Sequence, residues 1–386
     1  MLLSASSVRA EANLHIGQLR IDPFLTASDS FSDNIYFTPE NPADPPKRDS
    51  YMTYTPGIKL QLPFGRDRFE AEYFAVVTRY ATSRGEDTTD HNASGSLDVK
   101  VGRRFDIGLS ENFVKGHEDR GQSATGFIET YRNNTATAAF SYQLATRSKI
   151  EIDAGKSTWD YIESPFRDRD DYLLTGYLYY RFLPKTSVFL EYDRKKADYE
   201  YSNSIGEATG SFQDLNSLQQ SGQIGFTWEF SEKSKGTIKG GMLKKDFESS
   251  QNPDYSGATW SVDIRHDFSQ LASLQLVGLR EPKEANVEGT NYYVTTGGYG
   301  EFSFHILTKL SVVAHGSWGK DKFSNIIPGE SALRQDRTTQ SGGGLKYAIG
   351  KWGEIGFDYN HRVRQSNIPV YEYDVHTYMV SASVAL

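Results

Sequence analysis

Lys346-Tyr-Ala-Ile-Gly-Lys-Trp-Gly-Glu-Ile-Gly-Phe-Asp-Tyr359 holds two apolar alternations separated by one tight turn. Leu345, Tyr347 and Ile349 point one way, and Gly350-Lys-Trp-Gly353 then reverses the chain. Ile355, Phe357 and Tyr359 resume the apolar face, with Glu354 and Asp358 opposite. Successive strand side chains point to opposite faces, so this pattern predicts a hairpin with one apolar and one polar surface. The same unit recurs at Tyr180–Tyr192, Phe226–Ile238, Ile264–Leu276 and Phe302–Val312. Less regular copies turn near Phe64-Gly-Arg66, Arg104-Phe-Asp106 and Ala145-Thr-Arg147. About eight tight turns at a spacing of about 40 residues form a repeat architecture.

Longer polar connections lie between the tight turns. They centre near residues 29–50, 83–91, 118–125, 163–170, 202–217, 249–257, 283–290, 323–336 and 366–370, and include Pro39-Glu-Asn-Pro-Ala-Asp-Pro-Pro46. Short and long connections alternate throughout. This predicts an all-β fold, a single closed antiparallel transmembrane β-barrel of about 18 strands, with short periplasmic turns and long extracellular loops. An even strand number puts both termini on the periplasmic side. Each strand plus connection averages about 21 residues, which leaves room for the roughly 9–11 that cross a bilayer. One short helical piece is expected near Phe212–Leu218, and no second domain fits.

Composition narrows the alternatives. The 386 residues include 24 Tyr and 22 Phe, carry a net charge of −8 and contain no Cys. The negative balance excludes a polybasic nucleic-acid binder. Lack of Cys excludes disulfide scaffolds, thiolate metal sites and Cys nucleophiles. No run of about 20 apolar residues provides a helical membrane span. Residues 1–12 end in Ala10-Glu-Ala12, an A-x-A cleavage pattern, and read as the tail of a signal peptide, leaving 13–386 as the barrel. Tyr378, Val380, Ala382, Val384 and Leu386 alternate to the chain end, a pattern resembling the signal read by barrel-insertion machinery, with Leu386 in place of an aromatic residue.

Asp22-Pro-Phe-Leu-Thr-Ala-Ser-Asp-Ser-Phe-Ser-Asp-Asn-Ile35, Tyr54-Thr-Pro-Gly-Ile-Lys-Leu60, the Tyr73–Tyr80 strand and Leu183-Pro-Lys-Thr-Ser187 resemble the outer-membrane β-barrel porins encoded with exopolysaccharide assembly systems in Gram-negative bacteria. The resemblance covers most of the mature chain through strand and turn motifs. It implies an outer-membrane channel for an extruded polysaccharide, working with a periplasmic export partner. It carries over no sugar-binding residues. Expected surroundings are outer-membrane lipid and lipopolysaccharide.

If the apolar face of each strand meets lipid, the opposite face lines the interior. That face carries Lys59, Glu70, Glu72, Asp98, Lys100, Glu151, Asp153, Arg181, Glu191 and Asp193, with Gln61 between. It continues through Glu229, Lys239, Asp263, Arg265, Glu301, His305, Lys346, Glu354, Asp358 and Arg362. A Lys or Arg facing mid-bilayer lipid would cost roughly 2–4 kcal/mol, which explains the placement. Acids outnumber bases, so the path would favour neutral or cationic solutes. The same residues read equally as a cross-strand ion-pair lattice that stiffens the wall. Tyr177 and Tyr179 could stack on sugar rings, but aromatic residues near strand ends more often form the interfacial girdle. Length alone marks the loops at 29–50 and 202–217 as candidate plugs.

Catalytic signals are poor. The eight His (His15, His91, His117, His266, His305, His315, His361, His376) show no H-x-x-x-H spacing. His315-Gly-Ser-Trp-Gly319 only half resembles a nucleophile elbow. No catalytic, cofactor or metal site is expected. The main functional expectation is polysaccharide export; a general or substrate-specific diffusion porin for small solutes is the alternative, and a membrane-embedded hydrolase ranks below both.

Overall fold

The computed structural model describes residues 14–41, 45–118, 120, 127–200, 214–231, 233–284, 289–327 and 329–385. The expected signal-peptide tail at 1–12 lies outside them. A short β1 (Leu14–Ile16) is followed by β2 (Leu19–Ser32), β3 (Asp49–Phe64), β4 (Asp67–Tyr80), β5 (Thr88–Val101) and β6 (Phe105–Glu118). Then come β7 (Glu129–Ala145), β8 (Ser148–Tyr161), β9 (Arg169–Leu183), β10 (Thr186–Tyr199), β11 (Ser217–Ser231) and β12 (Ser234–Phe247). The last are β13 (Tyr255–Asp267), β14 (Ala272–Glu284), β15 (Tyr292–Leu307), β16 (Leu310–Phe323), β17 (Gln335–Ile349), β18 (Gly353–Ser366) and β19 (Tyr373–Ala385).

Each strand pairs antiparallel with its sequence neighbour, and β19 pairs with β2 to close an 18-stranded barrel, with β1 as an extra strand beside β2. Closure removes every sheet edge, the condition for strands to cross a membrane. The expected alternation of short and long connections is present, giving the barrel a turn end and a loop end. No helix among the described residues is long and apolar enough to cross a membrane. Ser217 and Leu218, expected in a helical piece, belong to β11; 212 and 213 lie outside the described residues. Alternation in β11 wins over the short i, i+3 apolar echo because ladder pairing satisfies its backbone on both sides.

Register makes the two faces explicit. Tyr347 opposes Ile355, Leu345 opposes Phe357, and Phe357 opposes Val380; all are exposed. These residues form the outward apolar belt. The buried apolar clusters lie at the loop end. One joins Leu243, Phe247, Tyr255, Tyr292 and Val294; the other joins Phe323, Ile327 and Ile368 with Tyr293 and Tyr371.

One hairpin end bends away from the cylinder on its β13 side, while β15 stays laddered to β16 as far as Tyr293–Phe323. β13 stops pairing with β14 at Trp260–Arg280, whereas β14 and β15 stay paired to Glu284–Tyr292. Beyond Arg280 the β14 end therefore has no wall partner on the β13 side. Tyr292 has the strand parity of the exposed Phe302 and Phe304, yet it stacks on Phe247 at 5.9 Å, a residue of inward parity. The hairpin end leans into the barrel.

Candidate functional site: the occupied loop end of the barrel interior

Glu284 anchors the leaning hairpin. Its carboxylate accepts hydrogen bonds from Lys245 Nζ at 2.6 Å, Lys195 Nζ at 3.3 Å and Tyr199 Oη at 3.0 Å. Tyr199 and Lys195 belong to β10, four strands from β14, which is roughly 19 Å along the sheet at about 4.8 Å per strand. Contact across that span requires the hairpin to cross the interior rather than follow the wall. Lys245 is only 1% exposed, so its charge depends on this carboxylate. Lys195 also meets Asp171 at 3.2 Å, and Arg169 meets Asp171 at 3.4 Å. On the hairpin's other face Tyr293 stacks on Phe323 at 5.1 Å and lies within electrostatic reach of Glu118 and Arg167.

Loops add three further Arg centres at the same end of the barrel. Arg167 donates to Glu118 at 2.8 and 3.0 Å and to Glu129 at 2.9 Å, with its guanidinium 3.9 Å from the Tyr161 ring centre. Arg334 clamps Asp336 at 2.6 and 2.9 Å and lies 3.5 Å above Tyr371. Arg120 binds Glu86 and packs on Tyr36 at 4.5 Å. That hydrogen-bonded carboxylate raises the Arg120 pKa above its ordinary value. A planar guanidinium suits all three sites, since it binds a carboxylate by two donors while its face covers an aromatic ring.

Of the two loops marked as plugs, the first sends Phe37 to within 5.9 Å of Arg362 and edge-on to Tyr373 at 5.2 Å. Residues 201–213 of the second lie outside the described residues. Among the described residues, the β14–β15 hairpin also enters the interior, although the sequence marks its 283–290 connection only as a long loop.

The charged residues read from sequence all fall on the strand parity opposite the apolar belt. Lys59 opposes Glu72, Asp98 opposes Arg68, Lys100 opposes Asp106, and Glu70 accepts from Gln61 at 2.9 Å. Lys149 binds Glu151 at 2.5 Å, and Asp153 opposes Thr175. Arg181 donates to the Thr146 carbonyl at 2.5 Å. Lys239 binds Glu191 at 2.5 Å, while Asp193 accepts from Thr175 at 2.9 Å and Ser221 at 2.8 Å. Glu229 and Arg265 each oppose Lys235, and Asp263 opposes Thr237. Tyr299 donates to Glu301 at 2.5 Å; His305 meets Ser311 at 2.7 Å. Lys346 opposes Gly356, Glu354 opposes Ser383, Asp358 lies 4.0 Å from His315, and Arg362 opposes Gln340. Arg20, Asp22, Arg68, Asp106 and Lys149 share this face and add more bases than acids.

Two aromatic placements differ from expectation. Tyr177 and Tyr179 stand on the interior parity, not in the outward girdle. They stack on each other at 5.6 Å and meet Phe189 at 6.1 and 5.2 Å, with Lys149 Nζ 4.6 Å from the Tyr179 ring centre. Phe189 lies flat over Gly225, where a Cβ would overlap the ring. Glycine permits this platform by leaving the space empty. The paired strand-end aromatics looked like a girdle because sequence gives their parity but not the depth of each strand.

The rule that charges turn inward has exceptions among the described residues, and the midpoint of β6 holds one. Glu111 has the outward parity of the exposed Leu109 and Phe113 and accepts a 3.2 Å hydrogen bond from Asn134. Pairing also gathers His361, His376 and Asp374, whose ligand atoms lie within 4.8 Å of one another on the outward face. Two imidazoles and a carboxylate are a donor set for a divalent transition metal. Here they already bind one another, His361 to Asp374 at 2.7 Å, and the rings stack at 4.2 Å. Cross-strand neighbours escape a search for local His spacing.

The family described as putative beta-barrel porin 2 matches residues 12–386. The chain belongs to this family. No curated protein matches the sequence. Among solved structures, Pseudomonas aeruginosa OccK2 (OpdF) is similar with a TM-score of 0.53 at 13% identity, over 95% of this chain and 98% of that one. P. aeruginosa OpdK with vanillate gives 0.52 at 8% identity, over 95% and 99%. P. aeruginosa OprD gives 0.50 at 12% identity, over 98% of each chain. At these identities the likeness shows the fold: this porin is an outer-membrane β-barrel.

Proposed function

We propose that this porin is a substrate-specific diffusion channel for small solutes. The observation that carries this reading is the Glu284-anchored hairpin end, whose contacts with β12 and β10 put it in the path of any solute through the interior. A moving polymer strand would need that hairpin released. The exopolysaccharide link rests on the sequence resemblance alone, so the alternative reading from sequence becomes the main one.

The interior-facing residues named above line the path in this reading. The platform of Tyr177, Tyr179 and Phe189 offers ring faces beside Glu191, Asp193 and Lys239. Rings flanked by fixed hydrogen-bonding groups suit a neutral, hydroxyl-rich ring such as a small sugar. The two charge signs alternate around the path, with pairs such as Glu151–Lys149 and Glu191–Lys239, so selectivity comes from shape and hydrogen bonding more than from net field. The turn end, with both termini, faces the periplasm. The test is single-channel recording in planar bilayers with neutral and acidic oligosaccharides. Stepwise block by neutral mono- or disaccharides, weakened by Gly225→Ala, is the expected result. Equal block by long polymers and small sugars would favour export instead.

A further inference from the structure

The outward face is chemically different at the two ends of the barrel. Among the described residues, no Lys or Arg stands on the outward parity of the strands' turn-end halves, where Tyr180, Phe304, Ile306 and Tyr347 are exposed. At the loop end the same parity carries several cations, among them Lys156, Arg194, Lys196, Lys244, Lys320 and Arg337. Three of these are neutralised locally. Lys156 meets Asp170 at 2.8 Å, Lys196 meets Asp198 at 3.0 Å, and Lys244 meets Asp246 at 2.8 Å.

Lys320 and Arg337 differ from these three, and, unlike the opposed Lys115 and Arg132, of which Lys115 is half-buried, both stand in the open. They are directly opposed cross-strand partners of like charge, both exposed, and neither has a carboxylate within ion-pair distance among the described residues. Like charges placed opposite each other destabilise a strand pair, so the arrangement calls for an anion between them. Trp318, 50% exposed on the same parity, stands two residues nearer the apolar belt. An open cleft of ≈ 400 Å³ is lined by Trp318, Lys320, Arg337, Gln335, Gln365 and Asn367. Asp336 also borders it, with its carboxylate turned away onto Arg334. The order along the wall is belt, indole, paired cations, then amides. It matches the layers met by an anionic lipid: acyl chains, headgroup boundary, phosphate, sugar hydroxyls.

We infer that Trp318, Lys320 and Arg337 form an outward-facing site for the phosphate of an outer-leaflet phosphorylated glycolipid. The site needs only the membrane-spanning fold, so it stands apart from what the channel conducts. It also orients the barrel, because a strongly phosphorylated leaflet would hold the loop end.

The full chain is reconstituted in phosphatidylcholine nanodiscs with or without bis-phosphorylated lipid A, and retained lipid is read by native mass spectrometry. Wild-type protein should keep lipid A in preference to phosphatidylcholine, and raised salt should weaken retention. The Lys320→Gln/Arg337→Gln variant should lose about thirtyfold in lipid A affinity, the amount two surface cations carry at an anionic membrane. Removing two like charges spares the fold, and Lys156→Gln, whose cation is already paired, should retain lipid A as wild type does. Equal retention by wild type and the double variant would overturn the inference. Displacement of lipid A by millimolar inorganic phosphate would also overturn it, assigning the cations to a soluble anion. Conductance and sugar block of the double variant should stay at wild-type values, so failure here and failure of the channel reading are separate results.

Discussion

The Glu284 anchor provides the sharpest test of the occupied interior. In Glu284→Gln the side chain keeps its shape and loses its charge. Lys195 retains Asp171 at 3.2 Å, but Lys245, 1% exposed, loses the only carboxylate within ion-pair distance among the described residues. Breaking one partner of a buried pair costs about 3–5 kcal/mol. If that cost falls on hairpin docking, the docked-to-released ratio drops by about two to four powers of ten. The expected readout in planar bilayers is a larger and noisier single-channel current than wild type. Adding Lys245→Met removes the orphaned ammonium and should recover much of the loss, so the double-mutant cycle should show a coupling of at least about 2 kcal/mol in thermal unfolding. Wild-type conductance and wild-type unfolding temperature in Glu284→Gln would refute the reasoning, because the hairpin would then be held by something other than this carboxylate.

Other expectations follow from the same contacts. Gly225→Ala places a Cβ against the Phe189 ring and should cost about 1–3 kcal/mol as the ring shifts from Tyr177 and Tyr179, with sugar block weakened and the barrel still folded by heat-modifiable gel mobility. Arg167→Gln leaves Glu118 and the fully buried Glu129 without their cation, and should destabilise by about 3–5 kcal/mol at neutral pH. Thermal unfolding of the variant against wild type at neutral pH checks this. Arg334→Lys keeps the charge but loses the two-donor clamp on Asp336 and the cover on Tyr371, and should increase protease cleavage in the 324–334 connection.

Much of the barrel was legible before any coordinates. The Leu345–Tyr359 alternation fixed which side of each strand is apolar, and the short–long rhythm of the connections fixed the strand number. Both signals are local: a period of two and a turn of a few residues need no knowledge of distant chain. The parity of Glu70, Glu191, Asp358 and the other charged candidates follows from the same counting. Tyr177 and Tyr179 mark its limit, since parity was available and depth was not.

The sequence by itself thus determined a closed, eighteen-stranded antiparallel barrel with one apolar and one charged face. Tertiary structure alone decided what fills it. The lean of the β14–β15 end depends on β13 ceasing to pair at Trp260 and on Glu284 meeting Lys245, Lys195 and Tyr199 from strands far along the chain. Arg167, Arg334 and the His361–Asp374–His376 group are likewise assembled by loops and cross-strand register. Ladder pairing obeys the strand period wherever it occurs, but a strand end free of its wall neighbour goes where distant charges and rings hold it, and no local pattern records that.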